Sequence, residues 1–243
     1  RVDVRDRAEA LVEQGDFAQA LELSDADASV RAHRLRAETF ELQGQYDLAD
    51  QAVDPVVEAL TRQTIDDADA LVDGVLALMV RSRVRGPSKP DEPTSAAADF
   101  RTLNQLLARA RDELDRQSWR ARAVEAELLY ERANFPQATE AAADALARNP
   151  RASRVWDLLA SMALDRWDFA KANAIADVMD TLGGTSGQLG ETPQPAAQLI
   201  RARAALQQND VDLAEAFVQS VLDRMPDHPS ARAMEAAVGA SRI

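Results

Sequence analysis

Apolar residues return every three or four positions through most of the chain, the spacing that lays one stripe along an α-helix. The stripes break at short polar turns, and the residues after each turn come in a fixed order. Asp16-Phe17 with Ala20, Gln45-Tyr46 with Ala49, Asn134-Phe135 with Ala138, Asp168-Phe169 with Ala172 and Asp210-Val211 with Ala214 share it. A polar residue, usually one whose side chain can cap a helix, precedes a large apolar one, and a small residue follows three positions later. Asp99-Phe100 with Leu103 is a looser member of the set. Each occurrence predicts a helix start. Gly15 and Gly44, one position before the polar residue in the first two, suit the left-handed end of the helix before.

Helix pairs follow from this pattern. The first covers 3–14 and 17–27, the second 29–43 and 46–60, with Pro55 expected to bend or break the latter. In the third, a long helix over 66–83 is followed by a partner that starts at Thr94 or Ser95 and carries Phe100, Leu103, Leu107, Ala110 and Leu114 on one stripe. The proline-rich run Gly86-Pro87-Ser88-Lys89-Pro90-Asp91-Glu92-Pro93 between them excludes a helix. The fourth and fifth pairs, 119–150 and 153–182, are the most regular, and Asn149-Pro150 ends the former. A glycine-rich loop leads to the sixth pair, 196–208 and 211–225, and to a last helix over 230–239 that reads as a cap or as half of a further repeat. The expected organisation is one repeat domain over 1–243. Its repeats fall at 1–28, 29–62, 64–116 with an inserted loop at 85–94, 118–151, 152–182 and 195–226, with a loop at 183–194 and a final helix at 229–240.

Composition supports an all-α chain. The hydrophobic fraction of 46% is supplied heavily by Ala, the best helix former, and nine Gly leave little for sheets and their turns. The formal charge of −13 would repel a phosphate backbone, so no nucleic-acid partner is expected. No window has the apolar length of a spanning helix, so no direct membrane insertion is expected. With no Cys there are no thiolate ligands or disulfides, and the compartment is unreadable. The chain opens on Arg1, which suggests a processed or excised piece of a longer chain, of bacterial origin.

Phe169 lies 34 positions after Phe135, and the same step carries Ala138 onto Ala172. Trp156, Leu159-Ala160, Phe169 and Ala172 in the fifth pair, Ala138, Ala145 and Pro150 in the fourth, and Pro226 closing the sixth give the chain its resemblance to the tetratricopeptide repeat family. The resemblance implies an α-solenoid of stacked antiparallel helix pairs wound into a right-handed superhelix. Ala133 and Trp167 stand where that family places a turn glycine. In the family the first helix of each pair lines a concave groove that holds a peptide or helix of a partner.

Carried onto this sequence, the groove positions are Arg5, Arg31, Arg34, Arg120 and Arg154, then Glu9, Glu38, Glu127, Ser161 and Arg203. A row of Arg suits a partner's carboxylates, which a guanidinium can grip with two parallel hydrogen bonds. Arg5 with Glu9 and Arg34 with Glu38 stand four apart on one helix and are placed to pair with each other; Arg120 and Arg154 lack a carboxylate at that spacing. Tyr130, Leu164, Leu199 and Leu206 would add an apolar strip, or pack within the array. The Lys and Asn with which the family's best-known site grips a terminal carboxylate are missing at those offsets. Of Trp119, Trp156 and Trp167, the last is expected to be exposed. His33 and His228 lie far apart without a second ligand at helical spacing, and the glycine-rich stretch from Gly183 lacks the Lys of a phosphate loop. No metal or other cofactor is expected.

The reading is a non-catalytic scaffold for protein interaction, with Arg31, Arg34, Arg120, Glu127, Tyr130, Arg154, Leu164 and Arg203 as partner-binding residues. Its alternative is the repeat domain of a larger enzyme, a protease, transferase or kinase, positioning substrate or partner. Self-association through a terminal hairpin is a third expectation.

Overall fold

A computed structural model describes residues 4–62, 65–85, 95–183 and 194–242, and every regular element among them is helical. The expected loops at 85–94 and 183–194 fall almost wholly outside the described residues. The chain divides into two compact units, Arg1–Glu125 and Ala126–Ile243, each considered by itself.

The first unit holds α1 (Val4–Gln14), α2 (Phe17–Asp25), α3 (Val30–Leu42), α4 (Tyr46–Thr61), α5 (Ala68–Arg85) and α6 (Ser95–Ala108), then a π-helical stretch Arg109–Leu114. Helix α7 (Trp119–Glu131) begins in this unit and ends in the second. The second unit continues with α8 (Phe135–Arg148), α9 (Ser153–Asp165), α10 (Phe169–Gly183), α11 (Pro195–Gln207), α12 (Val211–Leu222) and α13 (Pro229–Ala240). From α1 to α6 and from α8 to α13 each helix packs on the next, and first helices also meet the following first helix, α3 on α5 and α9 on α11. The last helix, α13, packs on α12 and α11 and buries Ala231 and Val238 there.

The turn inside each regular pair is built the same way five times. Gly15, Gly44, Ala133, Trp167 and Asn209 adopt positive φ, at 85°, 72°, 56°, 60° and 62°. The residue after each donates its N–H to the carbonyl five positions back, as Asp16 to Leu11 and Asp168 to Ala163, both at 2.9 Å. The positive-φ residue itself donates to the carbonyl three back, as Gly15 to Val12 at 3.1 Å and Trp167 to Leu164 at 3.0 Å. These two bonds satisfy carbonyls that a helix end leaves unpaired and turn the chain into the next helix. Asp16, Asp168 and Asp210 then accept the N–H three residues on, capping α2, α10 and α12.

The small residue three past each marker is where the second helix approaches the first. Ala20, Ala49, Ala138, Ala172 and Ala214 are at most 2% exposed. Burial is what the apolar stripes supply, and the described residues form clusters between neighbouring helices. Val53, Val56, Ala77 and Val80 gather between α4 and α5, and Leu164, Ile175, Met179 and Ile200 between α9, α10 and α11.

The structure departs from expectation at three places. Phe100 does not mark a helix start; it lies inside α6, which begins at Ser95 as its flanking residues had indicated. The continuation of α6 widens: the Asp115 N–H donates to the Ala110 carbonyl at 2.9 Å, a five-residue step that keeps Ala110 fully buried. Pro55 does not end α4, which runs unbroken from Tyr46 to Thr61. Gln51, whose carbonyl loses its partner there, and Pro55 itself are both exposed, so water can take that hydrogen bond.

Candidate functional site

The first helices carry two polar chains, one in each unit. In the first unit the chain crosses four helices. Glu9 on α1 accepts from Arg34 on α3 at 2.7 Å and also pairs with Arg31. Arg34 donates to Glu38, one turn along its own helix, at 2.7 Å, and its Nε stands 3.0 Å from Asp73 Oδ1 on α5. Asp73 accepts from Arg120 on α7 at 2.7 Å, and Arg120 also reaches Asp69 at 3.2 Å.

Electrostatics follow from burial. Arg34 is 1% exposed and holds its proton more tightly than a free guanidinium: burial opposes its charge, but Glu38, Glu9 and Asp73 outweigh that. Burial likewise pushes Glu9 up, yet Arg34 and Arg31 hold its carboxyl down at about 2. Asp73 goes the other way, raised by burial that Arg34 and Arg120 only partly offset. Removing one member of such a network strands another buried charge, so the first unit's chain is a structural tie.

In the second unit the chain is more open. Arg154 on α9 donates to Glu127 on α7 at 2.8 Å and is 54% exposed in its side chain. Tyr130 on α7 donates its hydroxyl to Asp165 on α9 at 2.7 Å. Burial, then this bond, pushes the Tyr130 hydroxyl up to about 12, so it stays a neutral donor at physiological pH. Arg203 on α11 donates to Ser161 on α9 at 2.9 Å. Asp157, raised by burial, is drawn back by Arg203 and Arg154.

These contacts revise several sequence expectations. Leu164 is 0% exposed, packed with Ala172, Ile175 and Ile200, and is a core residue with no surface for a partner; Leu199 is buried as well. Arg34 is likewise sealed inside the first unit. Arg120 and Arg154 do have carboxylate partners, which come from neighbouring helices instead of from their own. Glu9 pairs with Arg31 and Arg34 across helices, and the side chain of Arg5 lies outside the described residues. Glu127, Tyr130, Arg154 and Arg203 stand together in the second unit's chain, with Arg31 and Arg120 in the first. The sequence reading missed Asp73, Asp157 and Asp165. Asp73 carried a visible signal, a lone carboxylate in the apolar run 71–77 that needs a buried cation. A cavity of about 320 Å³, lined by Leu60, Ile65, Leu106 and Arg109 among others, touches none of these residues.

His33 contacts the Arg36 guanidinium, and His228 caps α13 by accepting from the Ala231 N–H. Among the described residues no three His, Asp or Glu are grouped to hold a metal ion, and no helix is long and apolar enough to cross a membrane.

Residues 189–229, around the α11–α12 pair, match the family model described as Tetratricopeptide repeat. That match covers one helix pair of the chain. Among the described residues there are thirteen α-helices, enough for about six helix pairs, and α11 and α12 share their turn geometry with four other marked pairs. Among solved structures, PilF of Pseudomonas aeruginosa is similar at 18% identity, with 96% of each chain covered and a TM-score of 0.47. The TPR2AB domain of yeast Sti1, in its pHSP90 complex, is similar at 14% identity over 99% of this chain and 97% of that one, with a TM-score of 0.42. Cut9, from the Cut9–Hcn1 hetero-tetramer of APC/C, is similar at 12% identity over 89% of this chain and 45% of the other, with a TM-score of 0.42. No curated protein matches the sequence.

Proposed function

We propose that the chain is a non-catalytic scaffold that holds a peptide or helical segment of a partner protein against the first helices of its second unit. The observation that carries this is the exposed end of the polar chain on α7, α9 and α11, above all the half-exposed Arg154. Glu127 is 14% exposed and Arg154 54%, so a partner's carboxylate would reach the Arg154 guanidinium from its solvent side and share it with Glu127. Arg203 adds a second guanidinium, and the Tyr130 hydroxyl, whose proton goes to Asp165, adds an acceptor. The first unit's chain has no such freedom, because Arg34 and Asp73 are buried and hold each other.

A photo-reactive side chain at position 130 tests this in cells expressing the full chain. A discrete crosslinked protein is expected from position 130, and not from position 140 on the exposed face of α8. Combining Arg154→Glu with Arg203→Glu should reduce that product several-fold. Equal labelling from both positions, or an unchanged yield in the variant, would remove the first-helix surface from the proposal. Arg120→Glu is a poor probe: it sets a carboxylate against Asp73 and tests stability instead.

A further inference from the structure

Among the described residues Trp167 is the most exposed of the large apolar side chains, at 66%. It sits at the turn between α9 and α10, edge-on to Phe169 with ring centroids 5.9 Å apart. On its two sides in sequence stand Arg166 and Asp168. The Arg166 guanidinium lies 5.2 Å from the centre of the Phe135 ring, and Phe135 meets Tyr130 edge-on at 5.9 Å. Beneath this edge is a cavity of about 50 Å³, with Leu159, Met162 and Ala163 as an apolar floor and Arg166, Lys171, Asp168 and Thr139 around it.

Charge sets this edge apart. The chain carries −13, and most described Arg side chains lie on a carboxylate. Neither Arg166 nor Lys171 has a carboxylate partner among the described residues, and both are exposed. Of the acids nearby, Asp168 lines the cavity and accepts the Lys171 backbone N–H at 3.0 Å on one oxygen, and Asp165 accepts the Tyr130 hydroxyl. Thr139 donates to the Phe135 carbonyl and leaves its side of the cavity without a free donor.

We propose that the α9–α10 turn is a second docking surface, separate from the first-helix strip, for an acidic peptide segment. A Glu carboxylate sits between Arg166 and Lys171, its methylene stem enters the apolar cavity, and the neighbouring residue of the segment packs on the Trp167 indole. The cavity, of about 50 Å³, suits such a stem, while the indole offers a flat apolar surface with one donor. Two cations without carboxylate partners supply the complementarity, and their solvation is given up for a charge-assisted bond.

Indole N–H resonances give a direct test. The chain has three Trp, and Trp156 already donates its indole N–H to the Pro150 carbonyl, 2.8 Å away, which makes it an internal control. The probe is the capped peptide Leu-Glu-Leu-Glu, with the Gln and Lys versions of the same length beside it. A saturable shift of the Trp167 resonance is expected with the Glu peptide in the millimolar range, at least fivefold weaker with the Gln version and absent with the Lys version. Lys171→Gln and Arg166→Gln, both at exposed positions, should each weaken it severalfold with an unchanged circular dichroism spectrum. Arg154→Glu should leave it in place, so that the two surfaces are told apart. An equal response to the Lys peptide or to acetate alone, a response unaffected by both Gln variants, or no shift at all would overturn the proposal.

Discussion

At the scale of single residues, the five left-handed turns put different side chains in one backbone conformation. Gly15 and Gly44 adopt positive φ freely, Asn209 at moderate cost, and Ala133 and Trp167 against the clash of their Cβ with the backbone. For Ala133 nothing offsets this, since the residue is exposed. Ala133→Gly should therefore stabilise the protein by about 0.5–1 kcal/mol, the strain relieved exceeding the added freedom of the unfolded chain. A urea titration should show a higher midpoint with an unchanged slope; a lower midpoint would mean that Ala133 carries no strain. Trp167 differs because its ring meets Phe169, so Trp167→Gly exchanges strain for a lost aromatic contact and should gain less. A bulky side chain kept at a strained and exposed position is the kind of outlier from which a functional role is reasonably inferred.

At the scale of helices, the polar chain from α1 to α7 fixes how neighbouring first helices meet, and Glu9 is the member whose protonation can be followed. Its folded value of about 2 lies below the ordinary 4.5, so its ionised form favours the folded state. That contribution is fully present above about 4.5 and is lost as the pH falls through about 2. Asp73 is raised instead, so its ionisation costs stability at neutral pH, and that cost is relieved on acidification. Comparing the chain with Glu9→Gln isolates the first effect: the difference in unfolding free energy should be largest near neutrality and shrink across that window. A constant difference would show that Glu9 does not sense Arg34. The same helices show what was legible in sequence. Helix pairs, caps and close Ala crossings could be read because each depends on residues within one turn of one another. The partners of Arg120 and Arg154 could not, because Asp73 and Glu127 lie on a neighbouring helix and a search at four-residue spacing sees one helix only. Leu164 failed for a related reason. Periodicity places it on a stripe but does not say which stripe of a first helix meets the next pair. Phe100 matched the marker by composition alone, without a turn residue before it.

At the scale of the molecule, packing runs between neighbours, and this shapes how damage spreads. In the first unit α3 touches α1, α2, α4 and α5, and in the second α11 touches α9, α10, α12 and α13. An array of this kind has a stability close to a sum of repeat and nearest-neighbour contributions, without a common core that all elements share. Arg34→Met should cost roughly 3–5 kcal/mol, because it removes a buried cation that faces Glu9, Glu38 and Asp73. If cooperativity is local, that loss falls on α1, α3 and α5, the helices whose carboxylates are stranded or whose faces α3 covers. Hydrogen exchange read helix by helix should then show those amides exchanging roughly a hundredfold faster or more, since each 1.4 kcal/mol is about tenfold. Amides in the α9–α12 pairs, held by Leu164, Ile200, Val218 and their neighbours, should keep their protection within a factor of about two. An equal rise in exchange across both units would show that the chain opens as one body and that the nearest-neighbour account is wrong. Localised exchange would also mean that the first unit can loosen while the strip on α7, α9 and α11 keeps the geometry a partner needs.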